Sequence, residues 1–202
     1  MAFLFRFEEQ YVLEDAAVLL RPLVETDTVF LKPYSLHEPE LWQYSLQTAS
    51  GEENLKRYIQ TAIDYRLQKH EYPFIVYDKK LQVYAGSTRF YDINILQKTL
   101  QLGYTWYGNQ FWGTGLNKHC KFLLLSFAFD TCDFVRVEFR ADNNNARSIA
   151  AMKSIGCREE GVLRSNSFNR DGSRRDSIIL SILQSEWKGG VKEKLLHKLN
   201  SY

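Results

Sequence analysis

Apolar residues recur at helical spacing in two long stretches and alternate with polar ones in several short runs, which predicts a chain of mixed helix and strand. Through Gly51–Gln68, Leu55, Ile59, Ile63 and Leu67 fall at i,i+4, with Tyr58, Ala62 and Tyr65 or Arg66 beside them. That is the pattern of a helix packed on a sheet. In Leu116–Phe129, Leu116, Cys120, Leu123, Leu124, Phe127 and Ala128 mark one apolar face, and Phe122, Leu125 and Phe129 add a second. A helix apolar on two faces is expected to be buried between a sheet and another element. Strands read at Ala17–Pro22, Phe74–Tyr77, Leu81–Phe90, Leu100–Tyr107 and Phe134–Arg140. Arg158–Arg164 and Arg174–Leu183 flank Asn169–Gly172 and predict a closing hairpin. Shorter helices are expected from the Thr26-Asp27 cap to Leu31, closed off before Pro33, over Glu38–Leu46, and over Ala146–Ile155, between the Asp142–Asn145 turn and Gly156. A modest amphipathic tail helix, Gly189–Tyr202, closes the chain. The expectation is one α+β domain over 1–202, with an antiparallel meander first and a strand–helix–strand–helix unit behind it.

Composition narrows the partners. The 202 residues carry 26 basic and 24 acidic side chains, net +2, and this balance gives no footprint for nonspecific nucleic-acid binding. Hydrophobic residues at 45% favour a packed core over disorder. No apolar run approaches the roughly 18–20 residues that span a bilayer. Met1–Gln10 is broken by Arg6, Glu8 and Glu9 and lacks a signal-peptide pattern. Cys120, Cys132 and Cys157 are odd in number and widely spaced, which argues for free thiols and a cytoplasmic location. His119 stands beside Cys120, but neighbours on a helix point about 100° apart, so no metal is expected.

The stretch from Gln110 to Asn117 (QFWGTGLN) lies between the Leu100–Tyr107 strand and the strongest helical pattern. Two glycines one residue apart let backbone approach a ligand without side-chain obstruction. The first N–H groups of a helix lack internal partners and carry partial positive charge, so this place suits an anion, most often a phosphate. A plain tight turn opening a helix is the alternative.

Three motifs give the chain a resemblance to a known family. Gln110-Phe111-Trp112-Gly113-Thr114-Gly115 is similar to the pyrophosphate loop Q/R-x-x-G-x-G/A of the GNAT superfamily of N-acetyltransferases. Asn145-Ala146-Arg147-Ser148, Ile155-Gly156-Cys157 and Glu160–Arg164 resemble the N-x-x-S…L-G-F…E-G-V-L-R run of its RimJ/RimL-like protein N-acetyltransferase branch. Asp171-Gly172, Arg175-Asp176 and Glu186-Trp187 resemble that branch's D-G…R-D…E-W ending. The likeness covers about Ala17–Trp187 and leaves 188–202 as a helical tail.

The resemblance implies a GNAT fold, a mixed and mostly antiparallel central sheet of about seven strands with flanking helices. It implies acetyl-CoA as cosubstrate, with the pyrophosphate on Gln110, Phe111, Trp112, Gly113, Thr114, Gly115, Leu116 and Asn117. The pantetheine arm would run along Tyr104, Thr105 and Trp106 and be held by Asn145, with Ser148 as the thiolate acid. An acceptor amine, of a protein N-terminus or of a small molecule, would attack directly, and a homodimer is left open. The chain departs from the wider family at Met152, where a tyrosine acid is usual, and at Gln101, where a glutamate is common. Asp92 and Glu138 are substitute bases, with ordered water preferred to either. These departures also motivate a non-catalytic CoA-binding module as an alternative. Trp106, Tyr107, Phe111 and Trp112 form either a ligand wall or core, His119 reads as solvated, and Arg174 and Arg175 read as a solvated hairpin in preference to a grip on substrate acid groups.

Overall fold

The computed structural model describes residues 5–199. Met1–Leu4 of the N-terminal run and Asn200–Tyr202 of the expected tail helix lie outside the described residues. An eight-stranded sheet runs in the order β1 (Leu13–Glu14), β2 (Val18–Pro22), β3 (Tyr72–Asp78), β4 (Val83–Asn94), β5 (Thr99–Tyr107), β6 (Arg136–Asp142), β8 (Arg174–Leu183) and β7 (Arg158–Phe168). All neighbours are antiparallel except β5 and β6. A parallel pair needs a crossover. Here α3 (Leu116–Ser126) supplies it, continued by a wider turn over Phe127–Thr131 in which the Cys132 N–H reaches the Phe127 carbonyl.

The eighth strand is β1, two residues paired with Leu20 and Leu19 and too short for periodicity to reveal. The first helix also departs from expectation. α1 runs Thr28–His37 through Pro33. Proline loses one helical hydrogen bond there, but its fixed φ suits a helix, and tertiary contacts override the break. Leu31, Tyr34 and Ser35 are buried, the Tyr34 hydroxyl donates to the Tyr84 carbonyl (2.7 Å), and Ser35 Oγ donates to the Ala49 carbonyl (2.6 Å). The Glu38–Leu46 expectation reduces to one short turn, Pro39–Trp42, which buries Leu41 and Trp42. α2 (Glu52–Leu67) buries Leu55, Tyr58, Ile59 and Ala62, but the stripe stops short of its end: Ile63 is half-buried and Leu67, in the last turn, is exposed. α4 (Ala146–Ser154) follows β6; α5 (Gln184–Glu186) and α6 (Lys192–Leu199) close the described chain.

The two sides of the sheet carry different elements. Phe90 and Phe74 meet Phe5, Tyr72 and Phe127 on the α3 side, whereas Arg89 meets Tyr58 of α2 on the other. Trp187 is fully buried against Phe122 and Phe129, and its indole N–H donates to Asp130. The final segment is thereby fastened to the end of α3.

One acid-sensitive tie joins β6 to β7. A hydrogen bond from Arg136 holds the Glu160 carboxyl down from its ordinary 4.5 to about 2; burial opposes, and Ser181 Oγ and the Arg136 charge assist. A carboxyl depressed in the folded state adds stability above its unfolded value and loses it as pH falls. Thermal midpoints of Glu160→Gln and wild type are therefore expected to converge between about pH 4.5 and about pH 2. A constant gap across that window would contradict the tie.

Candidate active site

β5 and β6 pair only over Thr99–Gln101 and Arg136–Glu138. Beyond that the two strands no longer pair with each other, although β5 keeps β4 and β6 keeps β8, and the gap between them forms a cleft toward their C-terminal ends. The β4–β5 register shifts between Ser87 and Arg89, so Thr88 lies opposite both Tyr104 and Thr105. Tyr104 takes φ +49°, a left-handed backbone that marks a bulge at the edge of the cleft. Such bulges re-aim main chain and side chains beside active sites.

At the open end of the cleft, the glycine loop leads from β5 into α3. Gly113 and Gly115 have φ +77° and +91°, a region a β-carbon disfavours. Gly113 faces open space, and Gly115 caps α3 while accepting from the N–H groups of Lys118 and His119. Among the described residues no acceptor is paired with the N–H of Gly113 or of Gly115. Unsatisfied donors at the positive end of a helix, one of them on the exposed Gly113, fit an anion such as a pyrophosphate.

Not every sequence-predicted site residue offers its side chain. Trp106, Phe111 and Leu116 are buried: Trp106 packs edge-on to Trp42 and Tyr34, and Phe111 to Tyr34. Only their main chain is left to meet a ligand. Tyr107 is core as well, whereas Trp112 is exposed, with the Arg147 guanidinium 3.5 Å over its ring. That stack joins the glycine loop to the first turn of α4. Thr105 is half-buried in the cleft; Gln110, Gly113 and Thr114 are exposed, and Asn117 is partly so. Asn145 caps α4, its Oδ1 accepting from the Ser148 N–H at 3.0 Å. Asn145→Ala is expected to lower stability by about 1 kcal/mol. Denaturant unfolding without ligand checks this, and no loss would contradict the cap. Ser148 lies one turn into α4, half-buried, and Met152 is core.

The candidate bases differ in their engagements. Gln101 donates from Nε2 to Asp92 Oδ2 (2.8 Å), and both oxygens of Glu138 are taken, by Arg136 and Arg140 (2.7 Å each). Asp92 is exposed. Two residues read as solvated are in fact engaged. Arg175 is buried, donating to the Tyr44 carbonyl (2.7 Å) and lying 3.6 Å from Asp142, so it ties the segment before α2 to the end of β6. His119 pairs with Asp15 at 2.7 Å; burial raises the Asp15 pKa, but the His119 and main-chain hydrogen bonds outweigh it and hold it low. Arg174 stays exposed, stacked on Phe168.

Sequence reasoning missed two buried groups that brace the bulge from opposite sides. Arg89 lies between the rings of Tyr58 and Tyr104, at 4.6 and 4.2 Å, and donates to Glu71 at 2.6 Å. On the α3 side, Lys121 Nζ donates to Thr105 Oγ1 at 2.8 Å. A signal existed for Lys121, which stands four and eight residues before Leu125 and Phe129 on an apolar stripe. A groove of about 490 Å³ bordered by Phe7, Leu23, Ile63 and Leu67 shares no residue with the loop or the cleft.

Known proteins share this arrangement. The acetyltransferase (GNAT) domain model matches residues 17–158. A Bacillus subtilis protein named as a candidate ribosomal N-acetyltransferase, YdaF, is 28% identical over 115 residues, 57% of this chain and 60% of its own length. A solved structure described as a candidate acetyltransferase from T. thermophilus is 30% identical, with a TM-score of 0.84 over 97% of this chain and 100% of that one. The ribosomal L7/L12 α-N-protein acetyltransferase RimL, solved with coenzyme A, shares the fold at 18% identity and a TM-score of 0.74, over 86% of this chain and 98% of its own. A family model spanning most of the chain, on a sheet split beside a glycine loop, places this protein in the GNAT superfamily of N-acetyltransferases.

Proposed function

We propose that the protein transfers the acetyl group of acetyl-CoA to a primary amine, by direct attack, and that its acceptor is a protein N-terminal α-amine. What supports this is a glycine loop with left-handed Gly113 and Gly115 opening α3, directly after a strand, β5, that parts from β6 beyond Gln101 and Glu138. The pyrophosphate sits on the loop N–H groups and the dipole of α3. Its arm pairs with the open edge of β5 at Tyr104–Trp106, as an added strand does. A neutral amine nitrogen attacks the thioester carbon, and its electron pair forms the C–N bond as the carbonyl pair moves to oxygen. Collapse breaks the C–S bond, and sulfur leaves as thiolate. Main-chain N–H groups at the bulge stabilise the oxygen, and Ser148 protonates the sulfur. Because Gln101 and Met152 stand where the wider family has acid and base groups, water removes the amine proton.

The protein acceptor rests on likeness to proteins named as ribosomal acetyltransferases, YdaF and RimL among them, and on the N-x-x-S and E-G-V-L-R residues. A thiol-release assay with acetyl-CoA tests it, using peptides with free α-amines, polyamines and aminoglycosides as acceptors. Turnover of peptides at the α-amine, absent when that amine is blocked, is expected. Turnover of small amines alone would move the reading to small-molecule acetylation. No thiol release with any acceptor would leave a CoA-binding module.

A further inference from the structure

Lys121 is a cation without a counter-ion among the described residues, placed under the cleft. Thr105 of β5 and Phe139 of β6 both lie past the point where the two strands stop pairing. Lys121 reaches between them: its Nζ is 2.8 Å from Thr105 Oγ1, 3.5 Å from Thr88 Oγ1 and 5.9 Å from the centre of the Phe139 ring. Its side chain is 5% exposed, while Thr105 above it is half-buried. The charge is therefore at the floor of the cleft, with one hydroxyl between it and whatever occupies the cleft.

No described group around it offsets the charge. Thr88, Thr105, Phe139, Cys157 and the adjacent Cys120 face it, with no carboxylate among them. Burial pushes the Lys121 ammonium down from 10.5 to about 8, and pushes the thiol of Cys120 up to about 12 and that of Cys157 up as well. Neither thiol is an anion near neutral pH. A buried ammonium held only by hydroxyl groups is costly for the fold, and a leucine or methionine would fill the space more cheaply. Thr88 and Thr105 hydroxyls are 2.7 Å apart, and the Thr105 hydroxyl donates only at a long 3.4 Å to the Gly103 carbonyl, a bond it can exchange for a charged acceptor; a hydroxyl accepting from an ammonium becomes a stronger donor.

We infer that Lys121 is a positioning residue that polarises the Thr105 hydroxyl toward the cosubstrate sulfur and so stabilises the thiolate leaving group. The inference rests on the acetyl-CoA reading above and adds a second group beside Ser148 for the departing sulfur. When the C–S bond breaks and its pair stays on sulfur, the negative charge meets the Thr105 O–H, backed by the Lys121 charge. No proton need leave Lys121.

Coenzyme A itself is the probe, because its thiol ionises without an acceptor amine. The thiolate absorbance of bound coenzyme A is titrated on wild type, Lys121→Met, Lys121→Arg and Thr105→Val, with affinity followed by calorimetry. At neutral pH the wild-type complex is expected to hold about tenfold more thiolate than the Lys121→Met complex, as for thiols beside a cation. Thr105→Val should fall between them, and Lys121→Arg should keep most of the excess. Equal thiolate fractions in wild type and Lys121→Met, or in wild type and Thr105→Val should Lys121→Met not fold, would overturn the inference while leaving cosubstrate binding intact. Failure of the wild type to bind coenzyme A would instead remove the acetyl-CoA reading, and this inference with it.

Discussion

Replacing Gly115 with valine is expected to weaken acetyl-CoA binding by two orders of magnitude or more. Gly115 caps α3 at φ +91°, ψ −18°, a left-handed conformation that a β-branched side chain resists. Valine would drive the loop toward an extended backbone and turn the donors of Gly113 and Gly115 away from a shared point. Each hydrogen bond to a charged oxygen is worth about 1.5–3 kcal/mol, so losing two is about 3–6 kcal/mol, a hundredfold or more in affinity. Gly115 is buried, so some stability is lost as well. Far-ultraviolet circular dichroism separates the two effects, and calorimetry of the folded variant measures the first. Gly115→Val binding as wild type does would show that the loop is only a turn.

A second large effect is expected at the other brace of the bulge. Arg89 and Glu71 form an ion pair at 2.6 Å with side chains 1% and 8% exposed. Glu71→Ala leaves a guanidinium buried between two tyrosine rings. Its Nε and Nη2 already lack partners among the described residues. Removing one member of a buried pair costs about 3–5 kcal/mol, or a fall of about 6–20 °C in the thermal midpoint for a domain of this size. The double variant Glu71→Leu with Arg89→Met removes both charges and should recover most of the loss, because a buried pair is replaceable by apolar groups of similar volume. A double variant no more stable than Glu71→Ala would mean that the pair itself, not the stranded charge, sets stability.

How much of this was legible in the sequence depended on whether the signal was local. The α2 and α3 stripes, the closing hairpin and the glycine loop carry local patterns, and the structure places these elements where they were read, except that Leu67 at the end of α2 is exposed and β7 runs on from Arg164 to Phe168. The sheet is mixed and mostly antiparallel as expected, with eight strands rather than about seven. β1 escaped because two residues have no period, and α1 because Tyr34 and Ser35 gain their partners from Tyr84 and Ala49, far along the chain. Arg175 looked solvated between Arg174 and Asp176, yet alternation along β8 turns it inward to Asp142. The bulge at Tyr104 and its two braces depend on registers among β4, β5, α2 and α3, which no single stretch encodes. No helix among the described residues is long and apolar enough to cross a membrane.

Thermal unfolding with acetyl-CoA, coenzyme A and ATP in parallel tests most directly whether the loop and cleft hold the cosubstrate. At ligand about 100 times its dissociation constant, binding adds about 2.7 kcal/mol, a rise of roughly 5–10 °C for a domain of this size. That rise is expected with both coenzyme A forms and little change with ATP, because the β5–β6 cleft binds the arm that ATP lacks. No shift with either form at millimolar concentration would contradict it.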